Sequence, residues 1–269
     1  MLASSISREN NIAQEVQNLL WDLKGVTIPG PGRCDGRGQN FTEALRELPR
    51  SGNLVRIVHY GLDLPVQSHY DHVLAVAAIA DMAASRPLEV SEKKLLACCV
   101  AFHDLPELLA GDPPDYTPDH LAIKVDRARP SISFEDAVKI ISATLPQPLK
   151  QHFDTTCRFL NEGIGELYEL FKFADKIEPI LAIWRYIGLH RERIVIGTFL
   201  EAMTDFFENP KVVSHCHSDE QRHVVRILQS KDQARKFFLS GNFNLESSAS
   251  ELFSKLLTGL INRLRMHTI

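Results

Sequence analysis

Residues 101–112, AFHDLPELLAGD, set His103, Asp104, Glu107 and Asp112 in a run whose Leu and Ala content reads as a buried helix. Polar groups are costly inside a core unless they are paired or hold a metal. Two further segments of helical apolar spacing carry His72, in HYDHVLAVAAIADMAAS, and Asp175, in KFADKIEPIL. The candidate set is therefore His72, His103, Asp104 and Asp175, spread over three expected helices. Two imidazoles and two carboxylates suit one borderline divalent cation such as Zn, Mn, Fe or Co, whereas calcium and magnesium prefer all-oxygen shells. On a continuous helix Glu107 follows His103 by four residues and projects from the same face. There its carboxylate would position a water beside the ion.

The elements that must hold these groups are read from apolar periodicity. Spacings of three and four recur from residue 41 onward with few period-two segments, so the fold class is nearly all-α. Residues 1–40 contain a short helix, IAQEVQNLLWDL, and a Gly/Pro-rich loop, an extension expected to wrap the surface. FTEALRELP is a short helix closed by Pro49, and HYDHVLAVAAIADMAAS aligns His72, Val76 and Ile79 on one stripe. In SEKKLLACCVAFHDLPELLAG, Ser91 is placed to cap the start and Gly111 to end the helix or its continuation. Residues 112–132 read as an irregular loop. SFEDAVKIISATL starts at Ser133 with Asp136 in the capping-box position, and helices over 149–160 and 164–189 follow, the second expected to bend at Pro179. Ser218 and Gln221 form a Ser-x-x-Gln capping box, and ASELFSKLLTGLINRL is amphipathic. This divides the chain into an extension at 1–40, a core at 41–187 and a C-terminal helical extension at 188–269.

Composition narrows the partners. The chain has 269 residues, 44% hydrophobic and 24% charged, values of a packed globular protein. A net charge of −4 and a pI near 6.3 offer no general attraction for nucleic-acid polymers or anionic membranes. The start, MLASSISRENN, lacks the pattern of a secretory signal, and runs such as VLAVAAIADMAA are too short to span a bilayer, so a cytoplasmic protein is expected. The five cysteines, Cys34, Cys98, Cys99, Cys157 and Cys216, fit reduced thiols better than a disulfide framework, and the Cys98–Cys99 pair reads as small buried apolar residues.

Four ordered blocks, PRSGNLVR from residue 49, SHYDHVLAVA from 68, HDLPELLAGD from 103 and KFADKIEPIL from 172, resemble the HD-domain phosphohydrolases, nearest to the bacterial 5'-deoxynucleotidase and its eukaryotic relatives. The resemblance covers about residues 40–187. It implies an all-α HD-domain bundle with an extra N-terminal loop and C-terminal helices. It also implies a divalent transition metal on His72, His103, Asp104 and Asp175, with Glu107 orienting water, Asp112 as a second catalytic carboxylate and Arg50 gripping phosphate. Arg56 is the alternative phosphate ligand. Asp71 stands on the substrate side in place of the family's usual Glu, Asn53 replaces an aromatic, and His69 and Tyr70 occupy places usually held by small apolar residues. The implied activity is metal-dependent hydrolysis of phosphate from a small nucleotide, foremost a nucleoside 5'-monophosphate.

Rival readings stay beside this one. A nucleoside triphosphate or pyrophosphate hydrolase would use the same ion, with Lys124, Arg127 and Arg129 meeting extra phosphates. A non-catalytic HD module would use the C-terminal helices as a binding surface. Exposed apolar faces at 193–207 and 249–264 would point to a homodimer. Asp175 alone reads as a helix residue paired with Lys172 or Lys176. The patch SHCHSDEQRH, with His215, Cys216, His217 and His223, reads as a polar loop before the Ser218 cap, because its side chains are too crowded for one tetrahedral centre.

Overall fold

The computed structural model describes residues 11–28, 39–47, 64–110, 132–208, 210–240 and, within 251–259, all but 253 and 257. Arg50, Arg56, Asp112, Asn53, Cys34 and the basic residues of the 112–131 loop lie outside this set.

Helix α1 (Ile12–Leu23) forms where IAQEVQNLLWDL predicts it. It lies on the core with one face buried and the other exposed, Trp21 being 71% exposed. Ile12, Val16, Leu20 and Leu23 are at most 2% exposed, and the helix packs against the two helices that carry the candidate histidines. Its first turn is held twice, because Asn11 accepts from the Gln14 N–H and Asp81 accepts from those of Ile12 and Ala13 at 2.9 and 3.1 Å. A two-residue antiparallel pair, β1 (Thr27–Ile28) with β2 (Gln39–Asn40), is the only sheet among the described residues, and α2 (Phe41–Glu47) follows at once. The architecture is all-α.

Helix α3 (His69–Ala83) starts at Ser68, whose hydroxyl accepts from the Asp71 N–H. Helix α4 (Val90–Phe102) is capped by Glu89 and Glu92, which bond reciprocally to each other's backbone, so Ser91 is not the cap. Nor does α4 run on through Glu107. The ring of Pro106 has no N–H and would press on the Phe102 carbonyl. That carbonyl instead accepts from Leu105, and further bonds of the same short span carry the chain to a one-turn helix, α5 (Glu107–Ala110).

Helix α6 (Phe134–Thr144) begins at Ser133, as the Ser133–Asp136 pattern requires. Helix α7 (Leu149–Glu162) ends on Gly163 at φ +65°, the left-handed turn that glycine adopts without strain. The central element is α8 (Glu166–Leu189), in which Phe171, Phe173, Ile177, Ile180, Trp184 and Ile187 are all at most 2% exposed. Pro179 sits inside α8 without ending it.

Helices α9 (Ile196–Ala202), α10 (Thr204–Glu208), α11 (Lys211–Ser214), α12 (Asp219–Leu228) and α13 (Lys231–Ser240) close over α8. Trp184 donates from Nε1 to the Leu228 carbonyl at 2.8 Å and meets the Phe237 ring. Of the apolar residues at 193–207 and 249–264, Phe199, Leu200, Phe206, Phe207, Leu252 and Leu256 are buried within the chain, while Val195 is exposed. Ser218 caps α12 with Gln221 as expected.

Candidate metal centre

Three helices bring the candidate side chains to one point. On α3, His69 and His72 lie three residues apart and share a face. At the end of α4 the tightened turn delivers His103 and Asp104. From the middle of α8, Asp175 faces them, with Glu178 one turn further on.

Both candidate ligand histidines have their tautomer set from behind. His72 Nδ1 lies 2.7 Å from Glu178 Oε2, and a carboxylate only accepts, so Nδ1 carries the proton and donates. His103 Nδ1 donates to the Val100 carbonyl at 2.9 Å. Each Nε2 therefore turns towards the same small volume, and the two stand 3.4 Å apart. His72 Nε2 is 3.5 Å from Asp104 Oδ2 and 3.4 Å from Asp175 Oδ1. His103 Nε2 is 3.0 Å from Asp104 Oδ1 and 3.6 Å from Asp175 Oδ1.

These separations decide whether an ion fits. A tetrahedral centre with ligand bonds of ~2.0–2.1 Å needs donors ~3.4 Å apart. The five distances straddle that value: His72, His103 and Asp104 each offer a donor atom within 4.8 Å of the others, a group that could hold one divalent cation, and Asp175 Oδ1 stands 3.4 and 3.6 Å from the two histidine nitrogens. His72, Asp104 and Asp175 are buried, and His103 has 8% of its side chain exposed.

Without an ion, a proton binds the carboxylates together. Burial by itself lowers the pKa of His103, but the charge of Asp104 and hydrogen bonds to Asp104 and Asp175 override it and raise the value to about 10. Burial pushes Asp104 and Asp175 up, yet the neighbouring histidines hold both carboxyls well below the usual range. Asp175 serves two partners. Its Oδ1 faces the histidines, while Oδ2 lies 3.5 and 3.8 Å from the Lys176 and Lys172 ammonium groups.

Glu107 reaches the cluster by another route than helical spacing from His103. Because Pro106 breaks the helix, Glu107 opens α5 and joins Asp104 and His69 instead. His69 Nδ1 is 3.4 Å from Asp104 Oδ2 and 3.9 Å from Glu107 Oε2. Donor atoms of His69, Asp104 and Glu107 all lie within 4.8 Å of one another, as do those of His72, His103 and Asp104. Both groups could hold a cation, and Asp104 belongs to both.

Asp71 is exposed, and its carboxylate accepts from the Ser68 hydroxyl at 2.9 Å. Two buried residues were not singled out from the sequence. Glu178 supports His72, and Gln67 donates from Nε2 to Glu178 Oε1 at 2.6 Å. The i+3 spacing of Glu178 from Asp175 is the signal that would have found it. His69 was noticed only as an unusual residue, and its position three before His72 is the corresponding sign.

In the second histidine-rich patch, His215, Cys216 and His217 lie in the turn before the Ser218 cap and His223 lies within α12. His217 pairs with Glu169 at 2.7 Å, and the buried Cys216 thiol bonds to the Val212 carbonyl. Burial pushes the Cys98 and Cys99 thiols up to about 11 and about 12, so both stay protonated small core groups.

No curated protein and no solved structure matches the chain. The family model described as HD domain matches residues 43–210, well over half of the molecule, across α3, the His103–Asp104 turn and α8, and the chain belongs to the HD-domain family.

Proposed function

We propose that the protein is a metal-dependent phosphohydrolase of small nucleotides, with nucleoside 5'-monophosphates as the substrate class. HD-domain membership supports the general activity, since the family consists mostly of metal-dependent hydrolases. The observation that carries the reading is the cluster of His72, His103 and Asp104, whose donor atoms lie within 4.8 Å of one another, with Asp175 Oδ1 beside both histidine nitrogens.

Those four residues would hold the cation. When bound, such an ion neutralises phosphate oxygen charge and lowers the pKa of water. Glu107, beside Asp104, takes a proton from the attacking water as its oxygen bonds to phosphorus. The bond from phosphorus to the 5'-oxygen breaks, and Asp112 delivers a proton to that leaving oxygen. Arg50, or Arg56 in its place, grips the non-bridging oxygens, for which a guanidinium fork is better shaped than an ammonium. Lys172 and Lys176 add positive charge beside Asp175 and favour an anionic substrate.

The test is chromatographic product analysis. Metal-stripped protein, resupplied with Co, Mn, Zn or Fe(II), is incubated with ribo- and deoxynucleoside mono- and triphosphates beside an Asp104→Ala control. Free nucleoside from monophosphates, absent with chelator and in the control, is the expected result. Cleavage of triphosphates alone would replace this reading with the triphosphohydrolase. Absence of any metal-dependent product would favour a binding module.

A further inference from the structure

Asp104 belongs to a second cluster besides that of His72, His103 and Asp175, and its other members are His69 and Glu107. His69 opens α3, Asp104 lies in the tightened turn after α4, and Glu107 opens α5. His69 is 2% exposed and Asp104 3%, while the Glu107 side chain is 18% exposed. Two carboxylates and an imidazole largely shut away from water are costly without a shared partner for their charge.

The spacing of the three groups suits an ion. His69 Nδ1 is 3.4 Å from Asp104 Oδ2 and 3.9 Å from Glu107 Oε2. Both separations exceed the ~2.7–3.2 Å of a good N–H···O bond. Ligands ~2.1 Å from one ion stand ~3.0–4.2 Å apart, according to the angle between them, and both separations fall in that interval. Donor atoms of all three residues lie within 4.8 Å of one another. Nδ1 of His69 offers a lone pair when the ring proton sits on Nε2, a tautomer open to a neutral imidazole.

We propose that His69, Asp104 and Glu107 bind a second divalent cation, with Asp104 bridging it to the ion of the candidate metal centre. Asp104 Oδ1 is 3.0 Å from His103 Nε2, and Oδ2 is 3.4 Å from His69 Nδ1 and 3.5 Å from His72 Nε2, so one carboxylate reaches both clusters. Two carboxylates and one imidazole make this donor set richer in oxygen than the first, which suits Mn. A carboxylate has two oxygens, so ligation through Oε2 does not remove Glu107 from the proton transfer proposed above. The second site rests on the reading of His72, His103 and Asp104 as an ion site, and on no particular substrate.

Titration of Mn(II) into the metal-stripped full chain tests the proposal, with bound metal counted by mass spectrometry and the ions read by electron paramagnetic resonance. Two ions per chain are expected at saturation. Their spectra should show magnetic coupling, because the ions of two-metal sites lie ~3.5–4 Å apart. His69→Leu and Glu107→Gln, with folding checked by circular dichroism, should each retain the first ion, lose the second and give an uncoupled spectrum. Asp104→Ala should lose both. A single ion per chain that is lost in His72→Ala would overturn the second site and leave the hydrolase reading standing, whereas no bound ion would overturn both. Two uncoupled ions, or a second ion that survives His69→Leu, would place it elsewhere on the protein and overturn the proposal.

Discussion

At the scale of single residues the metal centre is a problem of proton placement. Glu178 holds the Nδ1 proton of His72 and keeps Nε2 available, a pattern in which loss of the carboxylate typically weakens metal binding by ~10–100-fold. Glu178→Gln should reproduce that loss while preserving the fold, as read by chelator competition and circular dichroism. His103 supplies a pH dependence of definite sign. Its raised pKa, about 10, means that at neutral pH the metal-free site holds a proton between Asp104 and Asp175. A cation must displace that proton, so metal affinity should fall as pH falls below 10. Calorimetry in buffers of different ionisation enthalpy should show release of about one proton per bound ion at pH 7. An affinity independent of pH between 6 and 9 would contradict this assignment.

At the scale of elements, what matters is how helices end and what they cover. Pro106 cannot bond back to Phe102, α4 ends just before the His-Asp pair and His103 Nδ1 bonds to the Val100 carbonyl, so the end of the helix is part of the site. A continuous helix would have kept Glu107 on the His103 face. The break places it beside His69 and Asp104 instead. Helix α1 shows the same dependence on packing. The helix was legible in IAQEVQNLLWDL, and its packing partners were not. Leu20 is 2% exposed on the face turned to α3 and α4. Leu20→Ala should therefore destabilise the protein by ~2–5 kcal/mol in denaturant unfolding, against nearly nothing for a helix lying loosely on the surface.

For the whole molecule, three helices from distant parts of the chain meet at four ionisable side chains, and the fold holds them together against burial. An ion that binds only the folded state adds to stability by mass action, about 2.7 kcal/mol at a concentration one hundred times its Kd. Adding Mn or Co to metal-free protein should raise Tm, and the increase should vanish in Asp104→Ala. The helical class, most helix boundaries and the candidate set His72, His103, Asp104 and Asp175, whose side chains the fold brings near one another, could be read in the sequence, because apolar period, capping residues and ordered blocks are local signals. Asp175 shows the limit of such signals: it was legible both as a metal ligand and as a lysine partner, and the structure turns one oxygen to the two histidines and the other to Lys176 and Lys172. The supports of the centre, Glu178 behind His72 and Gln67 behind Glu178, are contacts between residues more than one hundred positions apart. Sequence alone determined the all-α class and the HD-domain blocks of the chain. Only the tertiary structure decided which nitrogen of each histidine faces the ion, which side chains stand behind it and where Glu107 points, because those depend on how α3, α4 and α8 meet and local spacing does not encode that meeting.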